Sequence, residues 1–206
     1  MKRASIIALI IIISVQCFGD KISFSVGATA AIEPVWLIAK DSITGDTITF
    51  SWMQWTAGGF IDATYVQVGV YYAFSGTIQR TLDSGGYVTD IAGDDNSLGL
   101  LEMTALGKYP ILLGPMVIYP VLEFEYSICI SVHDFNTPFF KVNTKDFSDF
   151  YALGGVGADI RMGKKLFLRL LALFGYNLTA KPPTDISGAK WSGFKVGGNA
   201  SIGFKM

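Results

Sequence analysis

The sequence predicts an all-β protein: an eight-stranded, antiparallel, up-and-down transmembrane β-barrel. The first observation is the last stretch of the chain, residues 191–206, in which apolar and polar side chains alternate without a slip. A period of two places one set of side chains on each face of an extended strand. Seven more stretches alternate in the same way, and their connections are alternately short and long. Both features are typical of membrane barrels, because lipid contacts one face of each strand and the lumen the other.

The last stretch has the properties of the strand that closes such a barrel. One face is apolar and carries a near-terminal phenylalanine, whereas the other face carries lysine, asparagine, serine and glycine. Taken alone, this stretch also fits an amphipathic edge strand of a soluble sandwich. We predict that assembly of the barrel by the barrel-assembly machinery depends on the apolar face of this strand, which includes Phe194, Val196, Ile202 and Phe204.

The start of the chain predicts export. Lys2 and Arg3 precede an apolar run, residues 4–15, and residues 17–19 end in a small residue of the kind that signal peptidase reads. We predict a signal peptide over residues 1–19, cleaved after Gly19, and one barrel domain over residues 20–206. Acylation of Cys17 is a second interpretation, which the preceding Gln16 makes unfavourable. The apolar run is too short to cross a bilayer comfortably as a helix.

Composition narrows the class of protein. The chain is 50% hydrophobic and 14% aromatic and has 23 glycines, but only 16% of its residues are charged, against about 25% in soluble domains. The formal net charge is −1 without a run of like charges, which argues against nucleic-acid binding. Only Cys129 remains after the predicted cleavage, so an internal disulfide is excluded. No motif predicts a cofactor or a metal site.

Turn and loop signals separate the predicted strands. Pro34 is expected to end the first strand, residues 56–59 to reverse the chain after the second, and residues 76–97 to form a long polar surface loop. Residues 110–115 and 163–165 are expected to be short turns. The predicted strands are residues 21–33, 47–52, 60–76, 98–109, 116–132, 148–162, 166–177 and 191–206.

The fourth strand alternates least cleanly, because Leu98, Leu100 and Leu106 share a face with Glu102 and Lys108. A β-bulge would resolve this pattern, and so would a partly apolar lumen. Aromatic residues are expected to form girdles at the two membrane interfaces. The predicted girdles are Trp52, Trp55 and Phe60 at one interface and Tyr71, Tyr72 and Phe74 at the other.

Charged side chains concentrate on the faces predicted to point inward. On the lipid side each would cost about 2–4 kcal/mol at the bilayer midplane, so the lumen is the favourable place for them. Eight strands enclose a space that side chains can fill, or that admits one small ligand. The predicted lumen charge network pairs five acids, Glu33, Glu102, Glu123, Glu125 and Asp159, with five bases, Lys108, Arg161, Arg169, Lys195 and Lys205.

A family resemblance rests on the strand count, the loop asymmetry, the closing strand and the stretch LEMTALGKYPILLGPMVIYPVLEFEYS, residues 101–127. The chain resembles the small eight-stranded outer-membrane barrels of the OmpW, OmpX and OmpA-barrel group over residues 21–206. The resemblance implies contact with outer-membrane lipid and both chain termini in the periplasm. OmpW-like members are thought to pass small apolar molecules, and OmpX-like members present adhesive loops.

We expect a non-enzymatic outer-membrane protein with a sealed or very narrow lumen. Its outer loops, especially residues 77–96 and 133–146, would meet the outside, with a host surface as one partner. The alternative is an OmpW-like passive conduit for small apolar solutes. Ser131 and His133 faintly resemble the outer-membrane lipid A deacylases, but those enzymes keep a serine two positions after the histidine, where this chain has Phe135.

Overall fold

The computed structural model describes residues 23–84, 87–91, 97–133, 148–180 and 189–206, so the predicted signal peptide and Cys17 lie outside the described residues. The described chain is built of antiparallel β-strands. They are β1 (Phe24–Asp41), β2 (Thr47–Ala63), β3 (Val66–Ser75), β4 (Gln79–Ser84), β5 (Tyr87–Ile91), β6 (Ser97–Lys108), β7 (Ile111–Leu113), β8 (Met116–His133), β9 (Asp149–Arg161), β10 (Leu166–Asn177) and β11 (Ala189–Lys205).

Eight of these strands close into a ring in the order β1, β2, β3, β6, β8, β9, β10, β11. The ring closes because β11 pairs with β10 on one side and with β1 on the other. Each strand of the ring pairs antiparallel with the next ring strand along the chain, which is up-and-down topology. The predicted eight-stranded antiparallel barrel is therefore confirmed. We call the end that holds residues 64–65, 114–115 and 162–165 the turn end, and the opposite end the loop end.

Three short strands lie outside the ring. β7 pairs with the start of β8 at the turn end, so this connection reverses at Gly114 and Pro115. At the loop end, β4 pairs with the start of β2, and β5 pairs with β4. The prediction of one long, polar and flexible surface loop over residues 76–97 did not include these two strands. Because β2 begins beyond the point where β3 ends, β4 takes over the pairing of its backbone groups.

Pro34 does not end the first strand, contrary to prediction. β1 continues through it to Asp41, and Pro34 lies opposite Met53 in an unbroken ladder to β2. On the other side of β1 the ladder to β11 is interrupted between Ile32 and Val35. Proline lacks the backbone N–H, and the neighbouring ladders are long enough to carry the strand across that local loss.

The reversal predicted at residues 56–59 is also wrong. β2 runs on to Ala63, and the chain turns at Thr64, whose φ of 44° lies in the left-handed region. Of the two glycines that suggested a turn, Gly58 serves close packing instead. A Cβ added at Gly58 would lie 2.2 Å from the carbonyl oxygen of Val70 on β3.

Aromatic residues cover the outside near the loop end. Outward-facing Trp55 and Phe74 stack with ring centroids 5.8 Å apart, and Trp36 stacks on Phe194 at 5.2 Å. The prediction of two girdles from β2 and β3 is wrong, because Trp55 and Phe74 lie opposite each other at one level of the barrel. Three of the other residues assigned to the girdles are buried inside the barrel: Trp52, Phe60 and Tyr71.

The fourth ring strand, β6, alternates between buried and more exposed residues from Leu100 to Gly107, whereas Leu98, Gly99 and Leu100 are buried in succession. Leu98, Leu100 and Leu106 are buried on the same side as Glu102, so the lumen is partly apolar, as one of the two alternatives required. The ladder to β8 does shift register between Gly99 and Leu100. Among the described residues, no helix is long and apolar enough to cross a membrane.

Candidate functional site

The lumen is the candidate functional site, because the ring directs its polar side chains there. It is layered along the barrel axis. The turn end holds an ion cluster built on Arg169, the middle holds carboxylates around Lys195, and the loop end is filled by apolar side chains. The two charged layers join strands that are not neighbours in the ring, so their ion pairs cross the lumen: Arg169 on β10 reaches Asp62 on β2, and Lys195 on β11 reaches Glu102 on β6.

The turn-end cluster consists of Asp62, Lys108, Tyr119, Asp159 and Arg169. The Oδ2 atom of Asp62 accepts from Lys108 Nζ at 2.6 Å and from Arg169 Nη2 at 2.7 Å. Arg169 Nε donates to Asp159 Oδ1 at 2.7 Å, and the Tyr119 hydroxyl donates to the same oxygen at 2.7 Å. Arg169 is 1% exposed, so its charge depends on these partners.

The Lys195 cluster consists of Lys195 with Glu33, Glu102, Glu123 and Glu125. The Nζ atom of Lys195 lies 2.5 Å from Glu125 Oε2, 3.1 Å from Glu33 Oε2 and 3.6 Å from Glu102 Oε1. It also lies 5.3 Å from the ring centroid of Tyr151, within reach of a cation–π interaction. One ammonium group therefore holds three carboxylates together inside the barrel.

A glutamine completes the Lys195 cluster. The side-chain amide of Gln54 donates to Glu33 Oε2 at 3.1 Å and to Glu102 Oε1 at 2.6 Å. Glu123 is 5% exposed and lines the same part of the lumen as Glu33, Glu102 and Glu125. A buried carboxylate is costly unless charge and hydrogen bonds compensate it. The cluster is thus held by a small number of contacts, which come from Lys195, Gln54 and Thr56.

Apolar side chains close the lumen towards the loop end. We call this group the loop-end apolar cluster: Val35, Leu37, Trp52, Ala73, Ile78, Leu98, Leu100 and Cys129. Two cavities flank the Lys195 cluster, and each has a volume of about 10 Å³, room for about one water molecule. At the turn end the lumen opens into a vestibule of about 320 Å³, lined in part by Asp62, Lys108 and Arg161.

The structure brings most of the predicted lumen residues together. Glu33, Glu102, Glu123, Glu125 and Lys195 form the middle layer, and Lys108, Asp159 and Arg169 belong to the turn-end cluster. Arg161 does not join either cluster. Its side chain is exposed at the mouth of the vestibule, because β9 ends there. Lys205 lines the same vestibule.

The predicted lumen network did not include Asp62, Gln54 and Gln67. Asp62 is 4% exposed and joins two bases, and Gln67 accepts a hydrogen bond from Arg169. Asp62 was missed because the chain reversal was predicted at residues 56–59, which assigned Asp62 to the third strand instead of the second. Continuing the alternation of β2 from Trp52 through Gln54 to Asp62 would have found two of the three.

The expected balance of five acids and five bases is wrong. Among the described residues, the side chains inside the barrel include more acids than bases, since Arg161 and Lys205 lie at the mouth and Asp62 is added. The acids inside are Glu33, Asp62, Glu102, Glu123, Glu125, Asp149 and Asp159, and the bases are Lys108, Arg169 and Lys195. Most of the excess falls in the Lys195 cluster, which has four acids and one base.

The outer surface carries the predicted assembly face. Val196, Ile202 and Phe204 are exposed on the outside of β11, and Phe194 stacks there with Trp36 and Phe174. In the described part of the chain, no group of three or more His, Cys, Asp or Glu side chains is placed to hold a metal ion. Asp134 and Phe135, which follow Ser131 and His133, lie outside the described residues.

The closed ring, the apolar outer face and the ion-paired lumen define the fold of a small outer-membrane-type β-barrel. No protein-family model and no curated protein matches the sequence. Among solved structures, outer membrane protein OprG from Pseudomonas aeruginosa matches 89% of this chain and 95% of its own, at 14% identity and a TM-score of 0.52. The predicted transmembrane-barrel fold is confirmed at the level of the fold.

Two further solved structures match less closely in shape. Neisserial surface protein A is 15% identical, with 91% of this chain and 100% of that chain covered and a TM-score of 0.48. Ail, the attachment invasion locus protein of Yersinia pestis, is 11% identical, with 89% and 99% covered and a TM-score of 0.33. At these identities the likeness concerns the fold and does not extend to activity.

Proposed function

We propose that this protein is an integral outer-membrane β-barrel that presents surface loops, has no enzymatic activity and keeps its lumen closed to solutes. The observation that carries the proposal is the distribution of side chains, which is the inverse of that in soluble proteins. Ionisable side chains are buried inside the ring, whereas large apolar side chains are exposed outside it. A soluble barrel of lipocalin type would have the opposite polarity.

The outer surface supports a position in a bilayer. Side chains such as Ile61, Val70, Leu122, Phe174 and Ile202 are between 55% and 58% exposed and lie on five different strands of the ring. Soluble monomers rarely expose a contiguous apolar patch of more than a few hundred Å². In lipid the same surface is favourable, and a closed ring satisfies the backbone groups that lipid cannot.

The ends of the barrel suggest the orientation. The short turns and the described chain ends, Ser23 and Met206, lie at the turn end, which we assign to the periplasm. The loop end would then face outward. The acids Asp83, Asp90, Asp94 and Asp95 suit the connection between β3 and β6 to a cationic partner on a host surface.

The location is tested by two measurements on the purified full chain. We expect the folded and heat-unfolded chains to migrate differently in SDS gels, because a closed barrel resists SDS until it is heated. We also expect the folded chain to enter the detergent-rich phase on detergent phase separation. Partition into the aqueous phase after export would contradict the proposal and would favour a soluble barrel.

An OmpW-like conduit for small apolar solutes is a second candidate, favoured by the apolar lining of the loop-end half of the lumen. Planar-bilayer recordings separate the two candidates. Because the cavities beside Lys195 each hold about 10 Å³, we expect no reproducible conductance. Conductance that Leu100→Trp abolishes would contradict the closed lumen, provided that Met103→Trp, on the outer face of the same strand, leaves it unchanged.

A further inference from the structure

A groove interrupts the outer surface of the barrel across β8, β9 and β10. Its volume is about 510 Å³, within the range of about 300–1,000 Å³ that is usual for ligand pockets. The outward-facing side chains of Ala158 and Ala172 are small, and the larger Ile118, Val156 and Leu170 stand around them. Small residues between large ones leave a depression on a surface that is otherwise convex.

Cations lie at the turn end of the same strands. Lys164 and Lys165 are both exposed and lie in the turn between β9 and β10. The Nζ atom of Lys165 lies 5.2 Å from the ring centroid of Phe204, an outward-facing side chain, so this ammonium group lies over the rim of the apolar belt.

The acids of the turn end do not cancel this charge at the rim. Within the described residues of that end, Asp62 and Asp159 are directed into the lumen and are paired with Lys108 and Arg169. The outer rim between β9 and β10 therefore has a net positive charge. It adjoins apolar surface, an arrangement that suits the headgroup region of a bilayer with anionic lipids.

The spacing of the groove and the cations matches a lipid leaflet. Leu170 on β10 lies in the groove and Lys165 lies in the turn just before β10, five residues away, which is about 17 Å at the rise of a β-strand. With a strand tilt of about 40°, this is about 13 Å along the barrel axis. The apolar band of such barrels is about 25 Å tall, so the groove lies at the depth of the acyl chains when the cations lie at the headgroups.

We propose that this face binds one anionic phospholipid, with an acyl chain in the groove and the phosphate beside Lys164 and Lys165. The inference rests on the membrane location proposed above. The groove supplies contact area for a chain, and the cations select the headgroup charge. Neither feature alone would distinguish a bound lipid from the lipids that surround every membrane protein.

Native mass spectrometry of the full chain in detergent tests the inference, with phosphatidylglycerol as the probe and phosphatidylcholine as the neutral comparison. We expect one phosphatidylglycerol per chain, with affinity about tenfold weaker in the Lys164→Gln/Lys165→Gln variant. Ala172→Phe fills the groove and is expected to weaken binding as well. Its matched control is Ala57→Phe, an exposed outward-facing alanine on β2, across the ring from β9.

Several outcomes would overturn the inference. They are equal retention of the two lipids, equal loss in Ala172→Phe and Ala57→Phe, and a dimer that Ala172→Phe disrupts whether or not lipid is present. The last result would assign the groove to a second copy of the chain. Heat-modifiable mobility is recorded for every variant, so a barrel that is folded and partitions into detergent but binds no lipid refutes this inference and leaves the membrane location intact.

Discussion

At the scale of single residues, Lys195 determines whether the middle of the lumen is stable. Its ammonium group contacts Glu33, Glu102 and Glu125, and it is 1% exposed. In a medium of low dielectric constant these carboxylates repel one another strongly, and water does not screen them. Removal of the cation would leave several carboxylates without their compensating charge. The opposite change, removal of one carboxylate, leaves the ammonium with two partners.

We therefore expect Lys195→Met to lower the free energy of unfolding by about 3–5 kcal/mol, the usual cost of breaking a buried ion pair by removing one partner. The measurement is reversible urea unfolding in lipid vesicles, followed by tryptophan fluorescence. Lys190→Met, at an exposed position on the same strand, is the matched control and should change little. Adding Glu125→Gln to Lys195→Met should recover part of the loss. If Lys195→Met and Lys190→Met were equally stable, Lys195 would not stabilise the cluster.

The sequence predicts which residues enter the lumen better than it predicts which of them meet. Alternation alone places Glu33 and Lys195 on inward faces. Their contact depends on the register between the first and last strands, in which Val35 lies opposite Lys195. Register across a closed ring is set by all the ladders together, and no local pattern contains it.

At the scale of the strand, the glycines of β9 show how close packing is obtained. A Cβ added at Gly155 would lie 2.0 Å from the carbonyl oxygen of Ala172 on β10, and one at Gly157 would lie 2.2 Å from the Tyr119 ring. Gly154, on the outer face, has nothing within 4 Å of the same position. The GGVG sequence of residues 154–157 resembles a phosphate-binding loop only in composition, because it lies within a strand.

Gly154 and Gly155 therefore make an adjacent pair with opposite expectations. Gly155→Ala should destabilise the barrel by about 1–3 kcal/mol, because a backbone atom must shift to make room. Gly154→Ala should be neutral or stabilising by up to about 1 kcal/mol, since it restricts the unfolded chain without a clash. Urea unfolding of the two variants under the same conditions checks this. Similar losses in both would mean that strand propensity, rather than contact with β10, decides the effect.

The boundaries of the strands show where local signals fail. Pro34 and the glycines at residues 58–59 are strong turn signals, yet β1 and β2 pass through them. Both strands pair on two sides along most of their length. The cooperative gain of two ladders exceeds the local cost of one proline or glycine. A strand that alternates cleanly between two clear turns is easier to predict. The prediction of a strand over residues 166–177 matches β10 as the structure has it.

At the scale of the whole molecule, the barrel depends on its closing strand. β11 joins β10 to β1, so it removes the two exposed edges that an open sheet of seven strands would have. The strand count and the connection pattern could be predicted because closure constrains them jointly. The structure of residues 1–22 is not described, so the signal peptide and its cleavage after Gly19 stay predictions.

The end of β11 is expected to govern assembly in the cell. Deletion of residues 203–206 removes the pairing of Phe204 with Val26 and Leu166, which exposes two strand edges at the turn end. We expect the heat-modifiable, membrane-inserted fraction to fall severalfold in this variant. Phe204→Ala should lower it as well, because its ring faces outward beside Lys165 on the strand that we take as the assembly signal. Phe24, on β1, is an outward-facing ring at the same end of the barrel and is exposed to a similar degree as Phe204. Phe24→Ala should reduce insertion less than Phe204→Ala does. If the two phenylalanine variants insert to the same extent, Phe204 contributes only ordinary lipid contact. If the truncated chain inserts as well as the full chain, the closing strand is not the assembly signal.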